Sequence, residues 1–185
     1  FSIMNKSVYD SPNTNLEIKR HILTILVDNE PGVLARVIGM FSGRGYNIDS
    51  LNVAEVSKKH LSRITIVTHG SNEVIDQIQS QLMRIVPVHS VMNFQDEGIA
   101  VEAEVALVYM DINDANKKEA YKVCDLYRAR KIENENNSMI FEIAGTSERI
   151  DTFISDISKI TKIEIVRSGP VAISSVNKDK KDEEE

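Results

Sequence analysis

A single cysteine, Cys124, and no tryptophan stand in a chain of 185 residues, and each shortage closes off a class of protein. A lone thiol forbids an internal disulfide, which fits a reducing cytoplasm and excludes a disulfide-stapled secreted scaffold. No apolar run is long enough to cross a bilayer, so no membrane role is expected. Basic residues number 22 against 28 acidic, and neither a basic stripe nor a helix-turn-helix pattern is visible, which argues against nucleic acid as a partner. Glycine-rich phosphate loops are missing as well. His21, His60, His69 and His89 fall in separate segments, none at metal-ligand spacing from another histidine or a carboxylate, so no metal site is expected. Cys124 sits beside Val123 and Leu126 at helical spacing, the position of a core filler rather than a nucleophile. Asp151 and Asp156 fall on the polar side of their helix, where solvation accounts for them. With no catalytic group in view, the chain does not read as an enzyme.

What the sequence does contain is two halves that repeat one predicted element order at low sequence similarity. Residues 1–20 form a polar N-terminal extension without the basic start or apolar core of a signal peptide, expected to be disordered. The chain opens on Phe1, which places the expected start of translation either upstream or at Met4. Ile22 to Val27 is apolar on both alternating faces and predicts a strand covered on both sides. Val33, Leu34, Val37, Ile38 and Phe41 put one apolar stripe on a helix that Gly43 and Gly45 stop. Strands are predicted over Tyr46–Val56 and Leu61–Thr68, joined by Ser57-Lys58-Lys59-His60. A second helix from about Asn72 and a strand over Val86–Phe94 complete a β-α-β-β-α-β unit, 21–95.

Gln95-Asp96-Glu97-Gly98 marks the domain boundary, and the same order then repeats over 99–172. Val101–Met110 predicts a strand, and Asp114 a cap for a helix that turns Val123, Leu126 and Tyr127 inward. Two short strands flank Glu135-Asn136-Asn137, Thr146 caps a helix carrying Ile150, Phe153, Ile154, Ile157 and Ile160, and Lys162–Val166 closes the unit. Residues 173–185 read as a charged tail. The expected fold class is α+β, two tandem ferredoxin-like sandwiches, each with two helices on one face of an antiparallel sheet.

The turn Asp28-Asn29-Glu30-Pro31-Gly32, between a strand and a helix, carries the one functional signal. Such a turn leaves backbone N–H groups aimed outward, ready for a small carboxylate. Pro31 has no N–H to waste, and Gly32 has no side chain to keep a ligand away. Asn29 adds an amide that both donates and accepts. The same residues are also ordinary turn chemistry, with Asn29 capping locally and Asn47 as a left-handed turn residue. Arg36 and Arg63 are readable as plain surface charges, and Tyr46 as core.

Residues 21 to 70 resemble the regulatory small subunit of acetolactate synthase (acetohydroxyacid synthase), whose first domain is an ACT domain. The likeness runs from Asp28 through Phe41, continues through Ser42-Gly43-Arg44-Gly45-Tyr46-Asn47-Ile48-Asp49-Ser50-Leu51, and returns at Leu61-Ser62-Arg63-Ile64-Thr65-Ile66. Ala144-Gly145-Thr146 and Val166-Arg167-Ser168-Gly169 resemble the family's second domain, extending the likeness to residue 170. Two departures are the Ser174-Ser175-Val176 that stands where the family often has Arg-Gly, and the two unmatched extensions.

The resemblance implies a non-catalytic partner that activates a large subunit and confers feedback inhibition by valine in branched-chain amino acid synthesis. Thiamine diphosphate, magnesium and FAD are implied on the large subunit and no cofactor on this chain. Effector positions carry over as Asn29, Gly32 and Asn47, with the valine carboxylate on the N–H groups of Gly32, Val33 and Leu34 and an apolar wall from Leu34 and Ile48. A side-by-side homodimer is implied, with the pocket shared between two chains. The rival expectation is a stand-alone amino-acid-binding ACT sensor.

Overall fold

The computed structural model describes residues 17–56, 60–94, 100–135 and 138–175. The first unit runs β1 (Lys19–Asp28), α1 (Val33–Gly43), β2 (Ser50–Glu55), β3 (Leu61–Gly70), α2 (Asn72–Leu82) and β4 (Val88–Asn93). The second runs β5 (Ala100–Asp111), α3 (Lys117–Leu126), β6 (Arg130–Glu135), β7 (Ser138–Gly145), α4 (Ser147–Ser158), β8 (Ile163–Arg167) and β9 (Val171–Ser174). Sheet orders are β2-β3-β1-β4 and β6-β7-β5-β8, every pairing antiparallel, so both halves are ferredoxin-like α+β sandwiches. Among the described residues no helix is long and apolar enough to cross a membrane.

Each sheet packs one face on its helices. Leu23, Ile25 and Val27 of β1 and Ile64 and Ile66 of β3 meet Val33, Val37 and Phe41 of α1 and Ile75, Ile78 and Leu82 of α2. In the second unit Ala106, Val108 and Met110 meet Ala120 and Cys124 of α3 and Ile150, Phe153 and Ile157 of α4. The apolar spacing of each helix explains which side it buries. Ser71 and Thr146 cap α2 and α4 by accepting from the N–H three residues on, at 3.4 and 3.3 Å.

The double-sided burial of β1 has a cause within the chain. β5 is long enough to pair with β8 over Ala106–Met110 and with β9 over Ala100–Ala103. That β5–β9 ribbon reaches the outer face of the first sheet, where Ala172 is buried with Ile22, Val67 and Phe94. Part of the cover that β1 requires therefore comes from the second domain.

Several expected boundaries move. β9 takes residues 173 and 174 out of the expected tail; only Ala172 of its four residues is buried, too little alternation to read as a strand. β1 begins at Lys19, inside the expected N-terminal extension. β2 begins at Ser50 rather than Tyr46, because the Tyr46 N–H donates to Phe41 O and its ring packs edge-on against Phe41 at 6.4 Å. Gly45, at φ 71°, takes the left-handed turn expected of Asn47. β4 begins at Val88, leaving Val86 94% exposed. Asp114 does not cap α3; the Asn113 side chain accepts from the N–H groups of Ala115 and Asn116 instead. Leu126 is 75% exposed, since Ala120 and Cys124 occupy the inner stripe of α3. Residues 1–16, Ser57-Lys58-Lys59, Gln95-Asp96-Glu97-Gly98, Asn136-Asn137 and the tail from 176 lie outside the described residues.

Candidate functional site

The turn after β1 is open. Gly32 is the residue before α1, at φ 86° and ψ −8°, with no side-chain cap on the helix. A Cβ placed at Gly32 would meet nothing within 4 Å, so the space above it is free. Val33 turns its N–H into the loop, donating to Glu30 O at 3.4 Å, and its side chain is buried in the core. Val33 is therefore a weaker outward donor than expected. The N–H groups of Gly32, Leu34 and Ala35 have no acceptor among the described residues. Ala35 is the donor that the sequence did not single out, because its place in the first turn depends on where α1 begins. These donors converge at the positive end of the helix, an arrangement suited to a carboxylate.

Asn29 is exposed and donates through Nδ2 to Glu55 Oε1 at the end of β2. Glu55, which sequence reasoning missed, thus brings a carboxylate to the rim of the turn. Only the strand register, which pairs Glu55 with Ser62 next to the Asp28–Leu61 pair, could have revealed it. Asp28 is engaged from the other side by His89 Nε2, 2.6 Å from its Oδ1.

Asn47 and Ile48 lie elsewhere. The carbonyl of Asn47 accepts from Thr68 Oγ1 at 2.6 Å, and its Nδ2 donates to Asp49 Oδ1 at 2.6 Å. Asp49 in turn meets His69 Nδ1 at 2.6 Å through its other oxygen. These bonds fix the Asn47 amide with its Oδ1 left as a free acceptor among the described residues. Leu34 and Ile48 are each half-buried against the first core.

The two halves of the expected site sit at opposite ends of the sheet. Asp28 pairs with Leu61 and the Asn29 N–H donates to His60 O, whereas Asn47 is bonded to Thr68. Leu61 and Thr68 are seven strand steps apart, about 24 Å at the rise of an antiparallel strand. One copy of the chain cannot bring Asn29 and Gly32 onto the same small ligand as Asn47.

Other chemistry-bearing groups are engaged in structure. His69 and His89 do meet carboxylates, pairings across the sheet that linear spacing hid; no group of three metal-ligating side chains forms among the described residues. Burial opposes the charge of Arg167, yet Asp151 and Glu104 together hold its guanidinium above the usual range. Asp151 is thus ion-paired rather than merely solvated. Asp156 accepts from Tyr127 Oη at 2.7 Å and from Lys159, which lowers its own pKa and raises that of Tyr127. Arg63 is half-buried, not a surface charge, and lines a cavity with Asn52 and Thr65 against Val171. Burial pushes the Cys124 thiol up to about 12, an inert filler rather than a nucleophile.

Comparison with known proteins covers both domains. Residues 23–90 match the model of the AHAS small subunit-like ACT domain, and residues 103–176 match that of the small subunit of acetolactate synthase. The acetolactate synthase isozyme 3 small subunit of Salmonella typhimurium is 39% identical over 160 residues, spanning 86% of this chain and 98% of that protein. A probable acetolactate synthase small subunit of Archaeoglobus fulgidus is 33% identical over 159 residues, 86% of this chain and 99% of that one. The crystal structure of the acetolactate synthase small subunit from Thermotoga maritima superposes with a TM-score of 0.76 at 32% identity, covering 86% of this chain and 99% of that chain. Both domains, in the same order and over nearly the whole length of these relatives, are therefore matched. The chain belongs to the family of acetolactate synthase small subunits, the regulatory and non-catalytic component of that enzyme.

Proposed function

We propose that this chain binds a large catalytic subunit of acetolactate synthase, raises its activity, and passes on feedback inhibition by valine. The thiamine diphosphate, magnesium and FAD implied by the family belong to the large subunit in this reading, and the complex is cytoplasmic. The observation that carries the effector assignment is the open turn at Gly32, with three backbone donors and space for a ligand above it. The valine carboxylate sits on the N–H groups of Gly32, Leu34 and Ala35. Its ammonium is held by Glu55 beside Asn29 and by the Oδ1 of Asn47. Leu34 and Ile48 form the apolar wall.

The separation of Asn47 from Gly32 makes the site a property of a homodimer. A two-fold pairing that runs the β2 strands of two copies side by side in opposite directions sets the Gly32 end of one against the Asn47 end of the other. Each dimer then holds two equal sites. A further apolar surface, the exposed face of the second sheet with Val105, Leu107, Tyr109 and Val166, favours association as well. Valine binding that prefers one fit of the dimer to the large subunit by about 1–3 kcal/mol changes activity about 5- to 150-fold.

Complementation tests this arrangement. Gly32→Asp and Asn47→Ala chains are each expected to give homodimers with two damaged sites. In a mixed dimer both lesions fall in one site and the other is intact. Calorimetry on the co-assembled pair should recover about one strong valine site per mixed dimer. No recovery, with both parents defective, refutes the shared pocket.

A further inference from the structure

The two domains meet along a seam that includes a close contact three residues beyond Asn47. Gly169, in the turn between β8 and β9, is seated on Ser50 at the start of β2. A Cβ at Gly169 would run into Ser50 Oγ and lie 3.0 Å from Ser50 Cβ and 3.3 Å from Asn52 Nδ2. Gly169 also stands at φ 74°, where other residues are strained. Next to it, Asn52 Nδ2 donates to Pro170 O at 3.1 Å.

Both sides of this contact are held. In the second domain the Ser168 N–H donates to Val105 O at 2.9 Å, and Ser168 Oγ accepts from the Val105 N–H at 3.0 Å. Arg167, one residue earlier, is clamped by Glu104 and Asp151. In the first domain the Asp49 N–H donates to Val67 O at 2.8 Å, while its carboxylate holds the Asn47 amide and His69. Beside the contact a cavity of about 700 Å³ is lined by Asp49 and His69 of the first domain and by Glu104 and Arg167 of the second. The Gly169 seat is thus where the second domain bears on the strand that begins at the effector turn.

We propose that the Ser168–Gly169–Pro170 turn is a positioning element of the effector site: by seating on Ser50 and Asn52 it fixes the Asn47–Asp49 turn in its ligand-binding place. The proposal rests on the assignment of valine to Asn47 made above. Displacement of the turn moves the Asn47 amide without touching any ligand contact directly, so effector affinity falls.

The test uses the full chain assembled with its large subunit, read by valine inhibition, by calorimetric titration and by stimulation in the absence of valine. Gly169→Ala is expected to raise the half-inhibiting valine concentration at least about 5-fold and to leave stimulation within about 2-fold. Adding Ser50→Gly makes room for the new methyl group and should return the valine response to that of Ser50→Gly alone. Asn52→Ala adds no bulk and removes only the bond to Pro170, with an expected loss of about 2- to 5-fold. Unchanged valine affinity in both Gly169→Ala and Asn52→Ala overturns the proposal. A loss in Gly169→Ala that Ser50→Gly fails to relieve does so too, because it assigns the effect to backbone strain. Gly32→Asp serves as the control: if valine still binds that variant, the effector assignment fails, and the positioning role falls with it.

Discussion

The two domains share one strand order yet treat the same turn in opposite ways. After β1 the turn ends on Gly32, and three N–H groups at the start of α1 have no acceptor among the described residues. After β5 the corresponding turn is filled by its own side chains. Asn113 Oδ1 accepts from the N–H groups of Ala115 and Asn116, Asn116 Oδ1 accepts from the Asn113 N–H at 2.8 Å, and Asn116 Nδ2 donates to Asp111 O at 3.0 Å. Asp111 and Asp114 add negative charge to the same segment. The fold supplies a helix end in both places, and only local residues decide whether it receives a ligand. The first turn leaves its donors without acceptors among the described residues, and the second is plugged by its own side chains.

The strongest way to break that contrast is to plug the first turn. Gly32→Asp puts a carboxylate over the donors and a Cβ in the left-handed region. Loss of even two of the three charge-assisted bonds, at about 1.5–3 kcal/mol each, should weaken valine on the order of 100-fold or more. The backbone strain costs about 1 kcal/mol, and the open space at the Cβ lets the domain stay folded. Calorimetry with valine decides the matter; full-strength binding by this variant would put the site elsewhere.

Asn47→Ala attacks the other end of the same domain, and its expected effect is smaller. Only one polar contact to the ligand disappears, so valine should weaken about 10-fold. Asp49 loses its bond to the amide but keeps His69, which limits how far the turn shifts. An effect as large as that of Gly32→Asp would mean that Asn47 holds the pocket's shape rather than one bond.

Much of this was legible in the sequence, and what was missed has one physical origin. The helical stripes of α1, α2 and α4 are strongly periodic, and Thr146 sits at the start of α4 as a readable cap, so those elements could be read locally. The turn at Gly32 was legible for the same reason, since Pro31 and Gly32 restrict backbone geometry within a few residues. Contacts between distant segments were not legible. Glu55 reaches Asn29 and His89 reaches Asp28 only through strand register, which no neighbouring residue announces. β9 was missed because its pairing partner lies some seventy residues away and its alternation is too short to show. The distance between Gly32 and Asn47 likewise follows from where β2 and β3 begin, and the apolar pattern alone puts the start of β2 at Tyr46, four residues before Ser50.

The plugged turn yields a smaller prediction. Asn113→Ala removes the acceptor for two N–H groups, and loss of such a cap costs about 1 kcal/mol of stability. The urea midpoint should fall accordingly, while valine affinity and stimulation stay put. A valine response that changes with Asn113 would mean that the second turn is an effector site, and the contrast between the domains would collapse.

The smallest expected effect separates the two cores. The core of the first domain is built of hydrocarbon side chains, whereas that of the second holds one ionisable thiol, Cys124, fully buried beside Ile150 and Phe153. Burial raises that thiol from 9.0 to about 12. In the native protein it keeps its proton through a range where the unfolded chain has lost it. Fewer protons are then bound by the unfolded state, so stability falls as pH rises. The contribution is whole below about pH 9 and is lost progressively on the way to about 12. At pH 9.5 the loss should amount to about 0.8 kcal/mol, from the fraction of thiolate expected in the unfolded chain. Lysines and tyrosines titrate in the same range, so the reading is the difference between the wild type and Cys124→Ala. Removing the sulfur costs stability at every pH through poorer packing, but that cost is constant. The gap in urea stability between the two proteins should therefore narrow from pH 7.5 to 9.5. A gap that stays the same width would mean that water reaches the thiol, and that the second core is looser than the first.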